Sequence, residues 1–186
     1  IDNFGEDMIA NPRGGGLFYW DKSNGVSTRA VNFSALSGAA DVPTIASQVI
    51  VSETDRHIIA LGANTIGTST QDPMLVRWCN QEDAAVWTPK TTNTAGGLRL
   101  SAGSKIIGAS RTREEVVIFT DIALYSMQFI GPPFTFSINL ITESVSMVSP
   151  QAAVNANNAI YFMDQDNFYV YEGSIQTLPC TVRAYV

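Results

Sequence analysis

The sequence predicts an all-β chain of antiparallel four-stranded meanders, arranged as part of a β-propeller. Three observations point there. Helix periodicity is nearly absent: no long stretch keeps apolar residues at i, i+3, i+4 and i+7 without an interrupting Gly, Pro or Asn. Short β-branched and aromatic runs bounded by turn residues take its place. Finally, an aromatic strand phrase ending in Asp recurs along the chain, and a period of about 40–50 residues marks propeller blades. A β-sandwich of eight or more strands is the alternative.

The elements follow in order. The phrase first occurs as Leu17-Phe18-Tyr19-Trp20-Asp21, and Val26 to Thr44, small and polar, reads as a connection or insertion between blades. Gln48 to Ser52 and His57 to Gly62 precede a fainter copy, Met74-Leu75-Val76-Arg77-Trp78. The clearest blade is 105–140. Its strands are Lys105–Ser110, Glu115–Thr120, Ala123–Phe129 and Phe134–Leu140, separated by Arg111–Glu114, Asp121-Ile122 and Gly131-Pro132-Pro133. Alternation in the last strand places Phe134, Phe136, Ile138 and Leu140 on one face. The second clear blade is 152–178, with turns at Asn155–Asn158, Asp164–Asp166 and Glu172-Gly173. Phe119-Thr120-Asp121 falls opposite Phe162-Met163-Asp164, and Tyr125 then aligns with Tyr169 if one turn is a residue longer. The whole chain, 1–186, thus holds up to four copies of one unit. Blades pack face to face, so inner strands are apolar on both sides. Ile58-Ile59-Ala60-Leu61 and Val116-Val117-Ile118-Phe119 have that character.

Composition narrows the function. The 186 residues are 45% hydrophobic and 15% charged, which excludes intrinsic disorder. No window approaches the roughly 18 uncharged apolar residues of a membrane-spanning helix. The net charge of −6 lacks the basic face of a dedicated nucleic-acid binder, yet it suits a conduit through which DNA slides without sticking.

The chemistry-bearing residues mostly read as structure. His57 is the only histidine, so no Ser-His-Asp or Cys-His constellation exists, and a half-buried strand position is expected for it. Cys79 and Cys180 stand about a hundred residues apart without a CxxC or Cys/His cluster, so they read as two reduced, buried thiols rather than zinc ligands, with a long-range disulfide as the alternative. Arg13-Gly14-Gly15-Gly16 opens a strand instead of a helix and lacks Gly-Lys-Ser, so it reads as a turn. Asp164-Gln165-Asp166 copies the start of a calcium loop, but Phe168 occupies the fifth position. The acids Asp2, Glu6 and Asp7 and the pair Glu114/Glu115 are not brought together by anything in the sequence, as a glycosidase would need. The second pair reads as a solvated turn. Asn32-Phe33-Ser34 is an incidental glycosylation sequon. Tyr19, Trp20, Tyr161, Phe162, Phe168, Tyr169 and Tyr171 could form a sugar platform, but their recurrence at the repeat reads as blade core. No catalytic, cofactor-binding or metal residue is assigned, and no enzymatic activity is expected.

Several stretches are more specific than their physics demands. These are Asp2 to Gly16 followed by Leu17–Asp21, Asp55-Arg56-His57, Asp72 to Trp78, Trp87-Thr88-Pro89, Asn93 to Leu100, Thr120-Asp121 to Gly131-Pro132-Pro133, and Leu178 to Val182. Together they resemble tail proteins of tailed bacteriophages. The nearest likeness is to the distal tail nozzle family of short-tailed phages, also called tail tubular protein B or the DNA-stabilisation tail accessory factor. The resemblance implies a structural β-propeller subunit in the virion tail, assembled with copies of itself in a ring below the portal and adaptor. Such a ring lines or closes the DNA channel, lets DNA pass transiently, and anchors fibres or spikes. A carbohydrate-binding propeller for host attachment is the alternative. Family members are longer than this chain. With the start at Ile1 and the strand-like Thr181–Val186 at the end, we expect a piece of a longer polypeptide. Ile1–Phe4 and Thr181–Val186 should then pair with strands outside it, leaving the isolated segment poorly soluble.

Overall fold

The computed structural model describes residues 1–180. Thr181–Val186, expected as a pairing edge, lie outside the described residues. The chain divides into two compact units. The first is Ile1–Ser101 with Phe129–Phe136, and the second is Ala102–Gln128 with the chain from Ser137 onward.

In the first unit, β1 (Asp2–Phe4), β2 (Asp7–Ala10), β3 (Phe18–Trp20) and β4 (Val31–Asn32) form one antiparallel sheet in chain order. β1, expected to pair with strands outside the segment, is the edge strand of this sheet. It pairs with β2, Asp2 opposite Ile9 and Phe4 opposite Asp7, across a two-residue turn opened by Gly5 at φ 69°. Val26–Thr44 is likewise more than a connection. It contains β4 and then a 3-10 turn over Phe33–Ala35, whose Phe33 is fully buried. Asn32 caps that turn, its Oδ1 accepting from the Ser34 amide at 3.0 Å and the Ser34 hydroxyl at 2.8 Å. The sequon residues therefore fasten a core aromatic.

The same unit holds β5 (Gln48–Ser52), β6 (His57–Leu61), β7 (Leu75–Trp78) and β8 (Gly96–Arg99), again paired in chain order. Every residue of β6 is buried, as the doubly apolar run required. The core joins Phe4, Ile9, Leu17 and Phe33 to Val49, Val51, Ile58, Ala60, Cys79 and Trp87. Phe33 and Trp87 meet with ring centres 6.4 Å apart. Arg77 on β7 is also buried; its guanidinium donates to the carbonyls of Asn64, at 3.2 Å, and of Asp41. Carbonyl dipoles thus stand in for water around a charge that would otherwise be costly to bury.

In the second unit, β9 (Ile106–Arg111), β10 (Glu115–Thr120), β11 (Leu124–Gly131) and β12 (Thr135–Thr142) make one sheet. β13 (Ala153–Ala156), β14 (Ala159–Met163), β15 (Phe168–Tyr171) and β16 (Ile175–Leu178) make another. The far end of the β11–β12 hairpin, Phe129–Phe136, counts with the first unit. Each meander closes as a single sheet with its strands in sequence order, so neither expected blade is split between two sheets. Phe119 on β10 and Phe162 on β14 are the residues the repeat equates. They sit on the second strand of each sheet and meet edge to face at 5.0 Å within a shared core. Tyr125 and Tyr169 fall on the third strands. Asn157 and Asn158, at φ 52° and 67°, supply the two left-handed residues of the tight β13–β14 turn.

Two further expectations are corrected. Leu17–Asp21 and Met74–Trp78 match the phrase Phe119–Asp121, but they lie on third strands, one strand later than β10 and β14. The phrase marks an aromatic strand running into a turn, and more than one strand of a meander satisfies it. Of Phe134, Phe136, Ile138 and Leu140, expected on one face, the last three alternate within β12, but Phe134 lies before it. Phe134 is 74% exposed in the turn, Phe136 is 7% exposed, and Leu140 is 45% exposed. Thr135 adopts φ 61°, which breaks the pleat and buries Thr135 and Phe136 together.

Candidate functional site

The densest polar constellation gathers around Thr94, in the segment before β8. Its hydroxyl accepts from the Gln81 amide at 2.8 Å and donates to Asn80 Oδ1 at 3.1 Å. Its carbonyl accepts from Trp78 Nε1 at 2.9 Å and from the Thr135 hydroxyl at 3.1 Å. His57 Nε2 lies 3.0 Å from the Thr94 hydroxyl. Asn80 Oδ1 only accepts, so the single hydroxyl hydrogen goes there and Nε2 is the donor of its pair. Around this node the rings of Trp78, Phe129 and Phe136 close on one another and on His57, with centres 5.1–5.7 Å apart. His57 is fully buried rather than half-buried, and burial lowers its proton affinity. The arrangement positions backbone and rings, and with Nε2 committed as donor the histidine is not set to take the Thr94 hydroxyl proton.

Two polar clefts lie on the separate units. The first, of about 550 Å³, is lined by residues including Asp7, Tyr19, Lys22, Arg56 and Glu82. Its groups are paired with one another. The Tyr19 hydroxyl donates to Asp7 Oδ2 at 2.5 Å, the Lys22 amide donates to Asp7 Oδ1 at 3.0 Å, Lys22 pairs with Glu6, and Arg56 pairs with Glu82 at 3.2 Å. Burial and the Asp7 carboxylate raise the Tyr19 pKa. The second cleft, of about 460 Å³, contains Glu114, Glu115, Gln128, Asn158 and Tyr171. The expectation of a solvated pair fails for Glu115, which is half-buried at the start of β10. Its carboxylate accepts from Ser126 and from Gln128 Nε2, the latter at 3.3 Å. Tyr171, buried beside it, has its pKa pushed up to about 12 by burial and by Glu115. A carboxylate already receiving these donors holds strands together.

The other sequence-level candidates resolve as turns. The Gly14 and Gly15 amides donate to the carbonyls of Ala46 and Pro12 at 2.9 and 2.8 Å, so the glycine loop spends those amides on its own chain. Asp164 Oδ1 accepts from the Gln165 amide and the Ser146 hydroxyl, and its own amide donates to the Asn167 carbonyl, closing a hairpin turn. Asp2 accepts from the Val51 amide at 2.8 Å, tying β1 to β5. Asp21 and Asp121 are held below the usual carboxylate range. For Asp21 the hydrogen bonds of Ser23 are the cause; for Asp121, burial pushes upward but the hydrogen bonds of Ser104 and neighbouring amides prevail. A glycosidase acid would need the opposite direction. Among the described residues no group of three His, Cys, Asp or Glu could hold a metal ion, and no helix is long and apolar enough to cross a membrane.

Of the aromatics considered as a sugar platform, Phe162 and Tyr171 are buried at 3% and 4%, Tyr161 is 39% exposed, and Tyr19, Trp20, Phe168 and Tyr169 are partly covered. Sequence reasoning missed the Thr94 node. Its signal was the pair Gly96-Gly97: a Cβ on Gly96 would stand 2.5 Å from the Trp78 ring, and one on Gly97 would stand 3.0 Å from the Val76 carbonyl.

Both cysteines are free. Cys79 lies wholly in the first unit's core, where burial pushes its thiol up to about 12, whereas Cys180 is partly exposed. Iodoacetamide at pH 8 is therefore expected to alkylate Cys180 in the native protein and Cys79 only after unfolding, as read by peptide mass spectrometry. Equal labelling of both in the native state would contradict the placement of Cys79.

No protein-family model matches the chain, and no curated protein matches it.

Proposed function

We propose that the chain is a structural subunit of a bacteriophage tail, contributing to the distal nozzle ring that lines or closes the DNA channel and anchors tail appendages. The observation that carries this reading is the run of four consecutive four-stranded meanders, each closing as its own sheet in chain order. That is the build of propeller blades, the fold the resemblance implies. The doubly buried second strands β6 and β10 support it, as blades stacked on both faces require. Its partners in this reading are copies of itself, the tail adaptor and fibre or spike proteins. DNA passes without specific binding, and a net charge of −6 is consistent with that.

The test is electron cryo-microscopy of the natural full-length polypeptide that carries this sequence. The expected result is a closed ring with an axial pore, in which these meanders are blades. A monomer that forms no ring and retains immobilised cell-surface polysaccharide would overturn the proposal and select the attachment reading.

A further inference from the structure

We propose that Phe129–Phe136, the far end of the β11–β12 hairpin, is an acid-released latch: it stays docked while His57 is neutral and comes free when that ring takes up a proton. The proposal goes beyond the tail reading and does not depend on it. It rests first on geometry. Within the first unit, Phe129 and Phe136 pack on the His57 ring at 5.7 and 5.1 Å, and Phe136 also meets Trp78 at 5.3 Å. The Thr135 hydroxyl donates to the Thr94 carbonyl. The docked segment is short, and the rest of its two strands counts with the second unit, so it is an element that can be lost without dismantling β5–β8.

The second ground is hydrogen bonding. His57 Nε2 is committed as donor to Thr94, and Nδ1 is buried without a hydrogen-bond partner. A proton on Nδ1 would place a full charge among these rings; burial opposes it more strongly than the Asp55 backbone would favour it. The third ground is the charge around the ring. From the turn before β6, Asp55 favours the protonated form, but its carboxylate is engaged by the Ser52 hydroxyl at 2.7 Å. Arg56 is paired with Glu82. β7 and the segment before β8 present Trp78 and Thr94, both uncharged. The hairpin presents nothing charged, since positions 122–142 contain no Asp, Glu, Lys, Arg or His. No carboxylate on the latch can receive the imidazolium.

The sign follows from burial, which outweighs Asp55 and holds the docked ring's pKa below the ordinary value. Docking is then at full strength above about pH 6.5 and weakens as the pH falls through that value. It levels off once the pH drops below the lowered pKa of the docked ring. One proton is linked, so the docking equilibrium changes by at most about tenfold per pH unit.

Hydrogen exchange read by mass spectrometry on this chain, at pH 8 and pH 5 and corrected for intrinsic exchange rates, tests the proposal. The expected result is that protection of Phe129–Phe136 falls at least fivefold at pH 5 while β9 and β10 keep theirs. His57→Phe and His57→Gln, neither of which titrates, should each abolish that fall; the Gln variant retains a donor for Thr94 should the Phe variant fail to fold. Protection that does not change between the two pH values would overturn the latch. So would a fall that persists in either folded variant, or a fall shared equally by β5–β8, which would mean that the whole first unit unfolds in acid.

Discussion

Trp87→Ala is expected to cost about 4 kcal/mol of stability, within the roughly 3–5 kcal/mol typical of removing a buried Trp or Phe ring. Trp87 is fully buried in the first unit, where it packs against Phe33 and anchors its own ring by donating from Nε1 to the Ala84 carbonyl at 2.9 Å. Its amide also donates to the Ala40 carbonyl at 2.9 Å, so the ring sits at the end of a segment fixed by backbone bonds. Little can collapse into the space left behind. Urea denaturation followed by circular dichroism measures the loss. Phe134→Ala is the control, because that ring is 74% exposed, and it should stay within about 0.5 kcal/mol of the parent. A Trp87→Ala variant as stable as the control would show that the core assignment is wrong.

Gly96→Ala should cost about 3 kcal/mol, at the upper end of the usual penalty for overpacking. Gly96 pairs directly with Trp78 across β7 and β8, and the indole lies over it. An added Cβ would stand 2.5 Å from the ring, closer than any carbon contact tolerates. The ring cannot easily retreat: its Nε1 is held by the Thr94 carbonyl and its face is met edge-on by Phe136. The same urea titration reads the effect. Restoration of stability in the double variant Gly96→Ala with Trp78→Leu would identify the ring as the cause. A neutral Gly96→Ala would refute the close approach.

What could be read from the residues was whatever depends on local chemistry. Runs such as Val116–Phe119 bounded by turn residues could only be inner strands, and the turn residues themselves announced the meanders. β4 and the 3-10 turn over Phe33–Ala35 escaped, because two or three residues cannot display a period. The glycine loop and the acid turns were legible as turns from their Gly, Asp and Asn content. The Thr94 node was illegible because His57, Trp78, Asn80, Thr94 and Phe136 are scattered over eighty positions and no two of them form a motif.

By itself, then, the sequence determined the all-β class, the strand-and-turn rhythm of the last two meanders and the doubly buried strands β6 and β10. Each of these follows from side-chain alternation, β-branching and turn chemistry within a few residues of the chain. Only the tertiary structure decided that β1 pairs with β2, that Phe33 belongs to the core, that Phe134 faces solvent while Thr135 is buried, and that the lone histidine is sealed among aromatic rings. Those outcomes depend on contacts between residues far apart in sequence. For such contacts the free energy lies in which surfaces meet, and no local pattern records that.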